Sequence, residues 1–178
     1  IGSRRQAMSG AIDAARRLGY EAMVLEAPIT GEARVAGGEL VDRMAALVRG
    51  GGRSVCLVST GETTVAVMGE GLGGRNQELA LAAAPRLESS ATPALLVSVG
   101  TDGVDGPTDA AGAIVDSTTL ERARAASLGL PRRYLSDNNA YRFFESLGDL
   151  VKIGPSGTNV GDLQILLATD PVGLIRRD

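Results

Sequence analysis

A chain of 178 residues is long enough for one globular domain, or for one domain with part of another. Its net charge of −3 creates no field favouring nucleic acid or an anionic membrane, and three Tyr, two Phe and no Trp offer few base-stacking platforms. There is no His, one Cys (Cys56) and one Lys (Lys152), which excludes from this chain Ser-His-Asp and Cys-His nucleophiles, His-bound zinc, an internal disulfide and a Gly-x-x-x-x-Gly-Lys phosphate loop.

The opening Ile1-Gly2-Ser3 reads as a strand end, a turn and a helix N-cap, so we expect a fragment of something longer. Helical spacing of Ala7, Met8, Ala11, Ile12, Ala15 and Leu18 predicts a first helix over 4–18, stopped at Gly19. A strand over 20–25 follows, broken by Pro28. A second helix runs from Gly31-Glu32 to about Val48, with Ala36, Leu40, Met44, Leu47 and Val48 on its apolar side and weakened by Gly37-Gly38. Gly50-Gly51-Gly52 ends it. A buried strand over 53–59 holds Cys56, which is expected to be inert. A tight glycine turn and a short strand over 64–68 come next, which hints at an antiparallel pair. A Leu/Ala helix over 75–87 is expected to be buried on most sides. Then come a buried strand over 93–99, a short one at 113–115, helices over 117–128 and 136–147, a short strand at 150–153 and a final core strand over 163–168. Asp137-Asn138-Asn139 reads as a helix cap.

This alternation predicts an α/β fold, with layered helices around a mixed, mostly parallel sheet. A boundary near Gly50–Gly52 would divide the chain into 1–52, the trailing part of a Rossmann-like domain, and 53–178, a second domain. No apolar run approaches about 20 residues and no secretory leader is visible, so a cytoplasmic protein without membrane or nucleic-acid partners is expected.

Chemistry concentrates in glycine-rich segments. In Gly73-Gly74-Arg75-Asn76-Gln77-Glu78, Arg75 falls at a helix start, where a permanently charged fork and free backbone amides together suit an anion. An exposed cap arginine is the plainer alternative. Thr101-Asp102-Gly103-Val104-Asp105-Gly106-Pro107-Thr108-Asp109 follows a buried strand, where ligands of α/β sheets collect. Its three carboxylates can hold Mg²⁺, orient a hydroxyl or accept its proton, although Asp-Gly pairs also simply make turns. Ser59-Thr60-Gly61-Glu62-Thr63-Thr64 suits either an anion cradle or a hairpin turn, and Gly154–Asn159 reads the same way, with Ser156, Thr158 and Asn159 as donors.

The order of four motifs carries more than any one of them. Gly61-Glu62-Thr63-Thr64-Val65, Gly73-Gly74-Arg75-Asn76-Gln77-Glu78-Leu79, Thr101-Asp102-Gly103-x-Asp105-Gly106-Pro107-Thr108-Asp109-Ala110-Ala111-Gly112 and Gly157-Thr158-Asn159-Val160-x-Asp162-Leu163 together resemble the C-terminal MOFRL-type domain of the glycerate 2-kinase family. Its members also carry the name hydroxypyruvate reductase. The resemblance runs from about residue 55 to the end, and the preceding segment, with Gly31-Glu32-Ala33-Arg34, looks like the end of that family's N-terminal domain. Thr60 stands where the family more often has glycine, and Gly161 where it often has asparagine.

The resemblance implies ATP- and Mg²⁺-dependent phosphorylation of D-glycerate on its 2-hydroxyl. The active site would be shared with the N-terminal domain of the same protein, which supplies a lysine. It makes Arg75 a catalytic residue, as clamp on the migrating phosphoryl group or anchor for the glycerate carboxylate. Asp102 would hold the metal or orient the attacking hydroxyl, with Asp105 as its alternative or companion at the metal. Gly61, Glu62, Thr63, Asn76, Thr101, Thr158 and Asn159 would bind substrate or phosphate. The isolated chain is expected to be inactive. Two other readings stay open: an NAD(P)H-dependent hydroxypyruvate reductase, for which the nearest glycine cluster is Gly69–Gly74, ahead of the helix over 75–87, and a non-catalytic module that binds a small acid.

Overall fold

The computed structural model describes residues 3–48 and 54–168, so the expected boundary at Gly50–Gly52 lies outside the described residues. Ser3 opens helix α1 (Arg4–Arg17) with a reciprocal cap: the Gln6 N–H donates to the Ser3 hydroxyl and the Ser3 N–H donates to the Gln6 side chain. Next come β1 (Glu21–Val24), β2 (Ile29–Glu32), α2 (Ala33–Leu47), β3 (Val55–Thr64), α3 (Arg75–Glu88), β4 (Ala94–Gly100), β5 (Gly112–Asp116), α4 (Thr119–Ala125), α5 (Pro131–Ser136), α6 (Ala140–Leu147), β6 (Leu150–Val151) and β7 (Asp162–Ala168).

The strands form one mixed sheet in the order β1-β3-β7-β4-β5-β6, with β2 also paired to β3. The expectation of helices around a mixed sheet holds, but the balance of directions does not: among the described residues two pairings are parallel and four antiparallel. The cause is the last strand. β7 inserts between β3 and β4 and runs against both. Parallel pairing is confined to β1 and β2 on β3, where helix α2 provides the crossover that a parallel return needs.

The expected turn at Ser59–Thr64 is strand, and the expected hairpin with residues 64–68 is absent. β3 continues through Gly61 because β2 lies against it there, and a Cβ at Gly61 would fall 1.9 Å from the Ile29 carbonyl oxygen. The expected helix over 136–147 starts only at Ala140, as α6, and a separate helix that was not expected, α5, precedes it, the two parted at Asp137-Asn138-Asn139. That triplet is no side-chain cap for α6. Its carboxylate and amides instead take N–H groups of the segment 68–72: Met68 and Gly69 donate to Asn138 Oδ1, Glu70 to Asp137 and Leu72 to Asn139. Asn138 also donates to the buried Glu78 carboxylate at 2.6 Å, tying the strap to α3.

The core has two layers. On one face of the sheet, α2, α3, α4 and α6 cover Leu57, Leu96, Val115 and Leu166, and Phe143 and Phe144 fill the far end. On the other, Ile12 and Ala15 of α1 pack on Cys56 and Val58. Cys56 is buried, and burial pushes its thiol pKa up, as expected of an inert side chain.

Strand alternation then grades the α3 face along three neighbouring strands. The row Leu57, Leu166, Leu96 gives way to Ser59, Gln164, Ser98, and that row to Gly61, Asp162, Gly100. The sheet passes from apolar to hydroxyl and amide to an acid flanked by two glycines as it approaches the start of α3.

A candidate active site at the start of helix α3

Helix α3 begins at Arg75 with Gly74 as N-cap and no side-chain cap of its own. The missing cap comes from the Asp-rich loop. Asp105 Oδ1 accepts the Asn76 N–H at 3.0 Å and the Asn76 side-chain amide at 3.2 Å, and Oδ2 accepts the Gln77 N–H at 2.9 Å. The carboxylate comes so close that a Cβ on Gly74 would meet Asp105 Cγ at 2.4 Å. Asp105 is 2% exposed, and burial, with the nearby Asp162 charge, pushes its pKa up to about 6.

Arg75 leans back over the sheet. Its Nε donates to Asp162 Oδ2 at 2.7 Å and its Nη2 to Asp162 Oδ1 at 2.9 Å, while Nη1 lies 3.6 Å from Glu62. The hydrogen bonds to Asp162 raise the Arg75 pKa above its ordinary value, so the guanidinium is permanently charged. Asp162 is 1% exposed and Arg75 about a third, so a buried acid holds a cation that reaches solvent.

Glu62 and Arg75 line two clefts in common. One, of about 690 Å³, is bounded by Thr63, Gly73, Gly74 and Pro107; the other, of about 620 Å³, by Arg4, Asp102 and Asn159. Either has room for a small acid with a phosphoryl group, since ligand pockets run to roughly 300–1,000 Å³. The structure thus brings together five expected residues: Arg75, Glu62, Thr63, Asp102 and Asn159.

It turns others inward. Asn76 is buried between Asp105 and Ser98, whose hydroxyl donates to it at 2.7 Å. Thr101 donates to the Gly161 carbonyl at 2.7 Å and accepts the Val160 N–H, which staples two loops together. Gly61 makes room for β2. Thr158 is exposed and lines neither of these clefts. The three acids of the Asp-rich loop also part company. Asp102 faces the second cleft and Asp105 caps α3, whereas Asp109 pairs with Lys152 and accepts a hydrogen bond from the Tyr141 hydroxyl. Among the described residues no group of three or more His, Cys, Asp or Glu gathers as a cation site. Of Asp102 and Asp105, only Asp102 lines one of these two clefts.

Two residues of the site went unassigned in the sequence. Asp162 sits inside a quoted motif, but its role depends on strand register. Arg4, whose Nε donates to the Val160 carbonyl at 3.4 Å, comes from the first turn of α1, far from every motif. No helix among the described residues is long and apolar enough to cross a membrane.

With this geometry in view, comparison with known proteins is informative. Residues 55–162 match the MOFRL family. A glycerate 2-kinase of Pyrococcus horikoshii is 41% identical over 163 residues, which cover 89% of this chain and 36% of that protein. A D-glycerate 2-kinase of Thermotoga maritima is 41% identical over 168 residues, covering 93% and 40%. The crystal structure of a Thermotoga maritima glycerate kinase superposes with a TM-score of 0.85 at 40% identity, over 94% of this chain and 41% of that one. The chain therefore spans about two fifths of the length of such relatives.

Proposed function

We propose, starting from the fact that this chain belongs to the MOFRL family, that it is part of a glycerate 2-kinase which moves the γ-phosphoryl group of ATP to the 2-hydroxyl of D-glycerate. One observation carries the reading on this chain's own residues. Arg75 presents a fixed guanidinium at the start of a helix, over two clefts that also hold Asp102, Glu62 and Thr63.

Phosphoryl transfer demands positioning and charge stabilisation more than covalent help from the protein. The glycerate 2-hydroxyl oxygen bonds to the γ-phosphorus as the bond to the β–γ bridging oxygen breaks and ADP departs. The hydroxyl proton goes to a base, a role we assign to Asp102. Its Oδ1 is oriented by the Val104 N–H at 3.2 Å, and its Oδ2 lies 3.5 Å from the Asn159 amide. Arg75 stabilises the charge on the phosphoryl group or holds the glycerate carboxylate. Mg²⁺ is commonly held by one or two carboxylates together with substrate phosphates, and Asp102 would fit that pattern as the alternative to its role as base. It would offset phosphate charge. A cytoplasmic location belongs to the same proposal.

In this reading the clefts are one wall of an active site, and the rest of a longer protein supplies the other. The test is an assay of the complete protein. ADP should form from ATP and D-glycerate, with no NADH oxidation on hydroxypyruvate, and the isolated chain should turn over neither. NADH oxidation without ADP formation would replace the kinase by a reductase.

A further inference from the structure

The sequence offers Arg75 as a lone functional cation, and the structure supplies the reason it can be one. A guanidinium has five N–H donors in a rigid fork. Nε and Nη2 each give one to Asp162, which leaves three, two on Nη1 and one on Nη2. An arginine side chain carries about 2 kcal/mol of rotamer entropy, so an unanchored Arg75 would sample many directions. Its anchor stands on a strand in the middle of the sheet, not on a loop: Asp162 pairs with Gly61 of β3 and Gly100 of β4. Both neighbours are glycines, so no side chain stands beside the carboxylate on either strand; the space at Gly61 is taken by the Ile29 backbone and that at Gly100 by the Val104 carbonyl and the Asp102 carboxylate. Beneath lies the row Ser59, Gln164, Ser98, where the Ser59 hydroxyl donates to Gln164 at 3.2 Å and Ser98 reaches up to Asn76.

We propose that Asp162 is a positioning residue, which fixes the roll and plane of the Arg75 guanidinium so that its remaining donors face the clefts. The donors left over match an oxyanion with several acceptors, a carboxylate or a phosphoryl group. Asp162 itself does not touch substrate. The inference rests on the kinase reading for its kinetic consequence only, because the geometry it concerns is internal to this chain.

Two measurements test it. In the 178-residue chain, the Arg75 Nε–H resonance, assigned by its loss in Arg75→Lys, should be sharp and slow to exchange. Exchange should accelerate tenfold or more in Asp162→Asn, which keeps the shape of the side chain but not the charged fork. In the complete protein, Asp162→Asn should lower kcat/KM per folded molecule tenfold or more, and Asp162→Asn combined with Arg75→Lys should be no worse than Arg75→Lys alone. Fast exchange of Nε–H in the wild-type chain would overturn the proposal without any Asp162 variant. So would an Asn variant whose turnover stays within twofold, or a double variant whose losses simply multiply. If the wild-type protein shows no kinase turnover, the kinase reading fails and the exchange measurement still decides the positioning role. If the Asn variant does not fold, the wild-type exchange rate decides it.

Discussion

Asp105 caps helix α3 from 29 positions away in the chain, through the Asn76 N–H at 3.0 Å. A carboxylate at a helix N-terminus is favoured by the free amides and the helix dipole. Here the favour is outweighed by burial and by the neighbouring Asp162 charge, which leave the pKa near 6 against 3.8 for the free group. The folded chain therefore holds this proton to higher pH than the unfolded chain does. Between about pH 4 and pH 6 the unfolded state binds fewer protons, and stability falls as pH rises. A shift of about two units corresponds to roughly 3 kcal/mol. Asp105→Asn cannot titrate, and its amide turns N–H groups towards one of the helix donors, so it should be less stable than wild type at pH 4. That gap should narrow by about 3 kcal/mol by pH 7. Urea unfolding of both proteins across this range measures it, and a gap that is constant or widens contradicts the account.

Adjacent glycines in α2 should respond with opposite signs. A Cβ on Gly37 would lie 2.1 Å from the Leu79 carbonyl oxygen, so α2 and α3 touch backbone to backbone there. A Cβ on Gly38 would find Arg86 Cγ at 3.7 Å, an ordinary contact. Gly38→Ala should stabilise by about 0.5–1 kcal/mol through helix propensity. Gly37→Ala should destabilise by about 1–3 kcal/mol, since backbone must move to admit the methyl. Denaturant midpoints of the two variants settle the matter, and equal shifts would mean the helices are not in this contact.

Asn138 should be the most sensitive residue outside the clefts. It accepts two N–H groups of the strap, donates to the Ala66 carbonyl at 3.1 Å and to Glu78 at 2.6 Å, and sits at φ 52°, where Asn is tolerated better than most residues. Glu78 is buried, and burial already raises its pKa. Asn138→Ala removes its hydrogen-bond donor and frees the strap, so a loss of about 2–4 kcal/mol is expected. Limited proteolysis should then cut first near the exposed Val67 and Met68. Asn139→Ala loses one bond, from the Leu72 N–H at 3.2 Å, and should cost about 1 kcal/mol. Equal tolerance of the two would show that the strap is held by something else.

These residues also mark what a sequence can tell. Helix α3 and strands β4 and β7 were legible because their apolar runs are long and are bounded on at least one side by glycine or an acid. The place of Arg75 at a helix start was legible from the two glycines before it, but not that they also make room for the Asp105 carboxylate and the Asn138 backbone. β2 was not: Ile-Thr-Gly-Glu is short, and its strand character comes from lying against β3. The loop carboxylates looked alike as neighbours in the chain and differ entirely in space. Asp105 turns inward to a helix 29 positions back, and Asp109 outward to Lys152, 43 positions on. Asp162 was hidden for a related reason. Its meaning depends on standing opposite Gly61 and Gly100 at once, and strand order across β3, β7 and β4 is not written in local spacing.

Glu62 lies 3.6 Å from the one Arg75 nitrogen that Asp162 leaves wholly free, and its side chain is 64% exposed. It lines both clefts beside Arg75, so an anionic ligand that reaches Nη1 from either competes with Glu62 for it. An exposed pair of this kind is worth about 0.2–1 kcal/mol. Removing the competing charge should therefore tighten anion binding by about 1.5- to 5-fold. The experiment titrates D-glycerate, and separately inorganic phosphate, into the chain and its Glu62→Gln variant while following the Arg75 Nε–H resonance. The advantage of the variant should shrink at 0.5 M salt, where the Debye length is only about 4 Å. If Glu62→Gln instead weakens binding, Glu62 contacts the ligand itself and helps to hold it.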